Sequence, residues 1–303
     1  RNAQHARGRA ERQRYAREGV IIATPTRRGE LPGILADFAR RGIDILAIDG
    51  GDGTVRDVLT CGAGIFGSAW PDVIVLPSGK TNALALDLRI PADWSLDQAL
   101  HAAARRSHAT RSTLVVSARE DPRAQVHGFV MGAGAFTRAV ALGQKSHAIG
   151  AFDTAVVALT ALGSLAQALL GRHGRGWRRG SPMHLRDGEG QALPHAGGLP
   201  ADERYLLFAS TLERFPAGID PFRGLAPGLR VGVLDNPSRG LLLRLVQIAR
   251  GRASPATRSR GFHAWRTEGL EADLGEPFIL DGEAFPPGQY TLAPGMALRF
   301  IVP

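Results

Sequence analysis

The stretch Ile43 to Leu59, IDILAIDGGDGTVRDVL, constrains this chain more than any other. Its apolar run Ile45-Leu46-Ala47-Ile48 predicts a strand buried on both faces. Gly50-Gly51-Asp52-Gly53-Thr54 follows at once, and Val55, Val58 and Leu59 then return at helical spacing. A strand, a glycine turn and a helix start in that order suit an anion. The glycines let the backbone approach it closely, and the first N–H groups of the helix point at it. A plain strand-to-helix turn with an Asp cap needs fewer than three glycines around one carboxylate.

The neighbouring segments extend the pattern. Residues 1–18 are polar, arginine-rich and helical in spacing, and Gly19 ends them; Val20-Ile21-Ile22-Ala23-Thr24 predicts a short buried strand. Leu31, Ile34, Leu35 and Phe38 predict a helix from about Glu30 to Arg41, closed by Gly42, and Val73-Ile74-Val75-Leu76 a second buried strand, ended by Pro77. Strands alternating with helices at this spacing imply right-handed βαβ units and a parallel sheet, with ligands at the carboxyl ends of the strands. Asp49–Thr54 and Pro77–Asn82 both fall at such ends, so two loops are expected to converge on one nucleotide. Gly79-Lys80-Thr81 resembles the tail of a Walker A loop, but that motif needs a glycine where Ile74 stands, which excludes it. What remains is a second glycine loop with Lys80 as a candidate phosphate ligand.

Beyond a helix near Ser95–Arg105 the texture changes. Short alternating runs at 112–118, 126–131, 205–210, 229–234, 261–267, 277–280 and 297–302 are separated by Gly and Pro, as in an antiparallel sandwich. The boundary is expected near Arg111, and 303 residues suit two domains. Ala148–Leu170 carries Asp153 as its only charge and one apolar stripe. Small and polar residues dilute it, so it reads as a buried or surface-docking helix rather than a membrane span.

The net charge of +9 is almost wholly arginine, since Lys80 and Lys145 are the only lysines. From Asn236 to Thr267 there are seven arginines and no acid, and a second cluster, Arg172, Arg175, Arg178 and Arg179, surrounds Trp177. Such surface is either simply solvated or attracts polyanions, nucleic acid or anionic lipid. Helix-turn-helix, finger and RNA-binding signatures are missing, which argues against nucleic acid. A lone cysteine, Cys61, excludes an intramolecular disulfide and fits a reducing compartment; no secretory signal is visible after Arg1, so a cytoplasmic location is expected.

Taken in order, these motifs resemble the diacylglycerol kinase catalytic-domain superfamily, which includes bacterial lipid kinases, sphingosine kinases and ceramide kinases. Gly50–Thr54 with Asp57 is similar to the family's GGDGT and following acid, and Pro77–Asn82 to its P-x-G-T-x-N loop. Met131–Phe136 resembles the glycine turn opening its second domain. Asp281-Gly282-Glu283 resembles its late DGE, and Leu298–Pro303 the strand that returns to the first domain. The resemblance implies an α/β nucleotide-binding domain (1–111, with about 293–303 returning) and a β-sandwich-rich lipid-substrate domain (112–292). It implies ATP between them, against Gly50, Gly51, Asp52, Gly53 and Thr54, with Gly79, Lys80, Thr81 and Asn82 on the phosphates and Thr24 near the nucleotide. Asp52 and Glu283 are expected to place Mg²⁺, and Asp281 to take the proton of an attacking lipid hydroxyl. The implied activity is a lipid kinase acting on diacylglycerol, ceramide or a sphingoid base, peripheral on an anionic membrane through the arginine clusters.

Two departures stand out: Lys80 replaces the family's Thr, and Ala83 stands where an Asp usually follows the Asn. They keep open a lipid-binding protein of this fold that has lost catalysis. A soluble NAD kinase-like enzyme shares the GGDGT alone.

Overall fold

A computed structural model of the chain describes residues 15–16, 18–147 and 179–303. The helix expected over 1–18 falls almost wholly outside them. So do the apolar segment 148–170 and the cluster around Trp177, apart from Arg179. The described residues form two compact units, one running to Thr110 and regaining Leu298–Pro303, the other spanning Arg111–Ala297.

The first unit is α/β. Helix α1 (Leu31–Arg40) buries Leu31 and Leu35 and is followed by Gly42 at φ +62°. Strand β1 (Ile45–Gly50) runs into α2 (Asp52–Phe66), and β2 (Asp72–Pro77) lies parallel to β1 from Ile45↔Asp72 to Gly50↔Pro77. Leu298–Ile301 continues this sheet on the other side of β2, parallel at Phe300↔Val73. Val73, Ile74, Val75 and Leu76 are buried on both faces, as their unbroken apolar run requires. Strand β1 departs from expectation. Leu46 and Ile48 are buried but Ala47 is exposed: among the described residues β1 is the last strand on its side of the sheet, and only one of its faces is covered. The strand expected at Val20–Thr24 is not formed either. The segment joins no ladder and Ile21 is 44% exposed, so Thr24 stands half-buried on an irregular stretch.

Two shorter helices complete this unit: α3 (Ala83–Asp87), and α4 (Leu96–Ala104), whose start is a capping box between Ser95 and Gln98.

The second unit is an antiparallel sandwich. Its strands are β3 (His108–Ala118), β4 (Asp121–Gly128), β5 (Val130–Gly134), β6 (Ser181–Asp187), β7 (Glu203–Arg204), β8 (Leu206–Ser210), β9 (Leu229–Leu234), β10 (Phe262–Thr267), β11 (Leu270–Leu274), β12 (Phe278–Leu280), β13 (Glu283–Phe285) and β14 (Gly288–Ile301). One sheet has the order β10-β9-β8-β5-β12-β13. Opposite it, β11 pairs with both β6 and β14, and β3 with β4. Met131, Leu207, Val231 and Phe278 from the first layer meet Leu114, Met183, Leu185 and Leu292 from the second in one dry core. The remaining helices are α5 (Ala135–His147), α6 (Arg239–Leu242), α7 (Leu245–Ala249) and α8 (Pro255–Arg258).

Candidate phosphate site and the DGE turn

The parallel register puts Gly50 level with Pro77, so the two strands end together and release their loops side by side. The loops then touch through glycine backbones. A Cβ on Gly51 would lie 2.9 Å from the Gly79 Cα, and a Cβ on Gly79 would lie 2.4 Å from the Gly51 Cα. Neither position tolerates a side chain, because what it would strike is main chain. Ser78 N–H donates to Gly50 O at 3.3 Å, and the Ser78 hydroxyl donates to Asp49.

Asn82 fixes the second loop on itself. Its Oδ1 accepts from Gly79 N–H at 2.9 Å and its Nδ2 donates to Gly79 O at 2.7 Å. That closed ring holds Asn82 at φ +49°, a left-handed conformation that asparagine tolerates better than most residues. Asp52 locks the loops together from the other side. Its two carboxylate oxygens accept Ala83 N–H at 3.0 Å and Leu84 N–H at 3.3 Å, capping α3 from 31 residues away in sequence. The Ala83 position therefore meets Asp52 through its backbone N–H.

Helix α2 begins directly above the glycine contact. Its N-cap is Gly51, which has no side chain to cap it, and Val55 N–H is the first to reach back into the helix, to Gly51 O at 3.1 Å. The N–H groups of Asp52, Gly53 and Thr54 have no helical acceptor available to them. Thr54 is exposed, and a Cβ on Gly53 would meet only the tip of Arg56, at 3.9 Å. Lys80 and Thr81 are exposed on the second loop, and Lys80 has no partner among the described residues. Asp57, one turn into α2, is held by the buried Arg56 at 2.8 Å and by Arg28 at 3.5 Å. The first unit thus brings Gly50, Gly51, Asp52, Gly53, Thr54, Gly79 and Asn82 to one spot. Asp49 belongs to it as well, holding Ser78 and accepting from Tyr15 Oη at 2.7 Å. The sequence places Asp49 at the head of this loop without giving it a role of its own, although an acid at the carboxyl end of a strand, just before a glycine turn, is a usable signal.

In the second unit, Asp281-Gly282-Glu283 forms the turn between β12 and β13. Asp281 sits at φ +46°. Its carboxylate accepts Phe129 N–H at 3.0 Å and Val130 N–H at 2.9 Å, while its own N–H donates to Val130 O at 2.9 Å. Gly128 is required there, since a Cβ would lie 2.5 Å from Asp281 Oδ2. The carboxylate is therefore rigidly oriented by the start of β5. Glu283 is exposed on β13. Residues 131–134, expected as a glycine turn, form most of β5; the chain changes direction only at Gly134, φ +68°, after which Ala135 N–H reaches Tyr205 O at 2.8 Å and α5 begins.

The donors present suit a phosphate better than a metal. Backbone N–H groups at a helix start, with glycines that leave room, are a cradle for an anion. For a metal, no three His, Cys, Asp or Glu side chains stand together among the described residues, and both Asp52 oxygens already face N–H groups.

Comparison with known proteins agrees with the motifs. Residues 3–116 match the family model of the diacylglycerol kinase catalytic domain. No curated protein matches the sequence. Among solved structures, one from Bacillus anthracis str. Sterne, provisionally described as a diacylglycerol kinase, is similar at a TM-score of 0.62 and 15% identity, over 92% of this chain and 84% of that one. Another, described as a diacylglycerol kinase from the same strain, gives 0.59 and 14%, over 93% and 84%. The resemblance to the diacylglycerol kinase catalytic-domain superfamily, and the α/β-plus-sandwich fold that it implied, are both borne out.

Proposed function

We propose, with the diacylglycerol kinase match of residues 3–116 as premise, that this chain is an ATP-dependent kinase of a membrane lipid's primary hydroxyl. The observation that carries the reading is the backbone contact of Gly51 with Gly79 at the start of α2. It gathers two glycine loops and a row of helix N–H groups into one anion cradle, where a triphosphate would be held chiefly by main chain. Lys80 adds an exposed cation on the second loop, in place of the family's neutral threonine. Asp52 then acts mainly as the clasp that keeps the loops in register. Mg²⁺ would be held chiefly by the oxygens of the bound nucleotide and by water, with Asp52 and Glu283 as the carboxylates expected to place it.

In this reading Asp281 accepts the proton of the lipid hydroxyl as its oxygen bonds to the γ-phosphorus and the bond to the β-phosphate oxygen breaks, releasing ADP. The N–H groups of Phe129 and Val130 hold its carboxylate in a fixed direction, a precondition for general-base work. Glu283 supports it from the same turn. Diacylglycerol, ceramide and sphingoid bases all present the required hydroxyl.

The test is transfer of label from γ-labelled ATP to each of these lipids in detergent micelles. The wild type is expected to label at least one. Asp281→Asn is expected to lose turnover by about a hundredfold or more while still binding ATP. No labelled lipid from the wild type, or full turnover in Asp281→Asn, overturns the reading.

A further inference from the structure

Helices that pack on a sandwich normally turn their polar side outward. The corner built by α6, α7 and α8 does not. Among the described residues five large apolar side chains are left exposed, and three belong to this corner or to the loop beside it: Leu243 at 68%, Val246 at 42% and Ile219 at 41%. The loop is bound to the helix, since Asp220 N–H donates to Ala249 O at 2.6 Å and a Cβ on Gly251 would lie 2.3 Å from the Arg223 Cβ. The residues around these apolar tips are cationic. Arg250, Arg252 and Arg260 are exposed, and the Arg260 guanidinium reaches to within 3.6 Å of where a Gly240 Cβ would be, beside the turn that carries Leu243. No acid occurs from Asn236 to Thr267, and the nearby Asp220 is already paired with Arg223 at 3.3 Å.

Below the tips, Leu241 and Ile248 are buried in a small core with Tyr205, Leu234 and Phe262. That core anchors the corner to β9 and β10, so Leu243 and Val246 stand on a fixed base. Apolar side chains projecting from a rim of arginines match the boundary between anionic headgroups and acyl chains, where each kind of group meets its own medium. Nucleic acid would use the arginines but give Leu243 and Val246 nothing. No described helix is long and apolar enough to cross a membrane, so the contact would be peripheral.

We propose that this corner, with Leu243 and Val246 inserted and Arg250, Arg252 and Arg260 on the headgroups, docks the protein on an anionic bilayer. The proposal rests on the lipid-kinase reading for its purpose, but its binding test needs no nucleotide. The full chain is sedimented with phosphatidylcholine vesicles, with and without phosphatidylglycerol, at low and high salt. Binding is expected only with phosphatidylglycerol, weakening as salt rises. Leu243→Glu with Val246→Glu is expected to lower it about tenfold or more, and Arg250→Ala with Arg252→Ala by a similar factor. Leu243→Ser alone, a mild change at so exposed a site, is expected to weaken it severalfold with unchanged thermal unfolding. Equal binding to neutral vesicles overturns the proposal, as does a double-Glu variant that binds like the wild type. So does loss of binding that tracks a lost fold, or a self-association that the double-Glu variant abolishes while vesicle binding persists. Failure of lipid phosphorylation alongside intact vesicle binding would strike the kinase reading alone.

Discussion

At Gly53 and Gly79 the same substitution to alanine should have opposite consequences. Gly53 lies inside the first turn of α2, with only the tip of Arg56 within 4 Å of an added Cβ, at 3.9 Å. Alanine there should hold or raise stability, by up to about 1 kcal/mol, because it restricts the unfolded chain. It should nevertheless weaken ATP, since the methyl stands where an anion must approach the helix start. Gly79→Ala forces a methyl against the Gly51 Cα and must part the two loops. A loss of about 1–3 kcal/mol is expected, together with nucleotide binding. Calorimetric titration with ATP beside a urea melt separates the two effects; a Gly53→Ala variant that binds ATP like the wild type would remove α2 from the site. These glycines were legible in the sequence because a turn of that shape demands them locally. The clasp formed by Asp52 was not. Its partners are backbone N–H groups of Ala83 and Leu84, which no residue type announces.

The elements show the same division. Strand β2 and helix α1 follow from apolar spacing alone, whereas Val20–Thr24 reads as a strand but finds no ladder. Strands β6 and β11 were legible but not read: Met183 and Leu185 alternate with Pro182, His184 and Arg186, and Leu270, Ala272 and Leu274 with Glu271 and Asp273, inward apolar and outward polar in the pattern of a half-buried strand. The sandwich also buries chemistry that spacing does not reveal. His127 of β4 is 5% exposed, with Nδ1 3.1 Å from Thr113 Oγ1, and burial pushes its pKa below the ordinary 6.5. The folded state therefore holds this ring neutral while the unfolded chain protonates near 6.5. Stability from this site is whole above that pH and falls as pH drops below it. Asp235 has a separate window. Burial pushes its carboxyl up, but the His263 hydrogen bond, the Ala196 N–H and the Arg204 charge together hold it below its ordinary 3.8, so its contribution is lost only in stronger acid. Urea melts are thus expected to show stability falling as pH drops below 6.5, with a flatter slope in His127→Gln. Equal slopes would assign the dependence to other groups.

For the molecule as a whole, the consequential feature is that the chain leaves the first unit at Thr110 and comes back for its last six residues. The return is built into the core of that unit. Leu298, Phe300 and Ile301 are buried, and Phe300 pairs with Val73 near the start of β2. Polar ties hold the outside. Arg299 Nε lies 3.1 Å from Asp72 Oδ1, His108 Nε2 lies 3.2 Å from Asp72 Oδ2, and Val302 N–H donates to Ser107 O at 3.1 Å. The strand that carries the candidate phosphate loop, β2, is thereby completed by residues more than 220 positions away. Phe300→Ala should remove a fully buried ring next to Val73 at a cost of about 3–5 kcal/mol. Hydrogen exchange locates the loss. Amides of 73–76 should lose protection, and ATP affinity should fall with them, because Gly79 and Asn82 hang from the end of that strand. Amides of 229–234, in the core of the sandwich, should keep theirs. Equal loss in both segments would mean that the chain opens as one cooperative body. Unchanged protection at 73–76 would mean that β2 holds its place without the Phe300 ring.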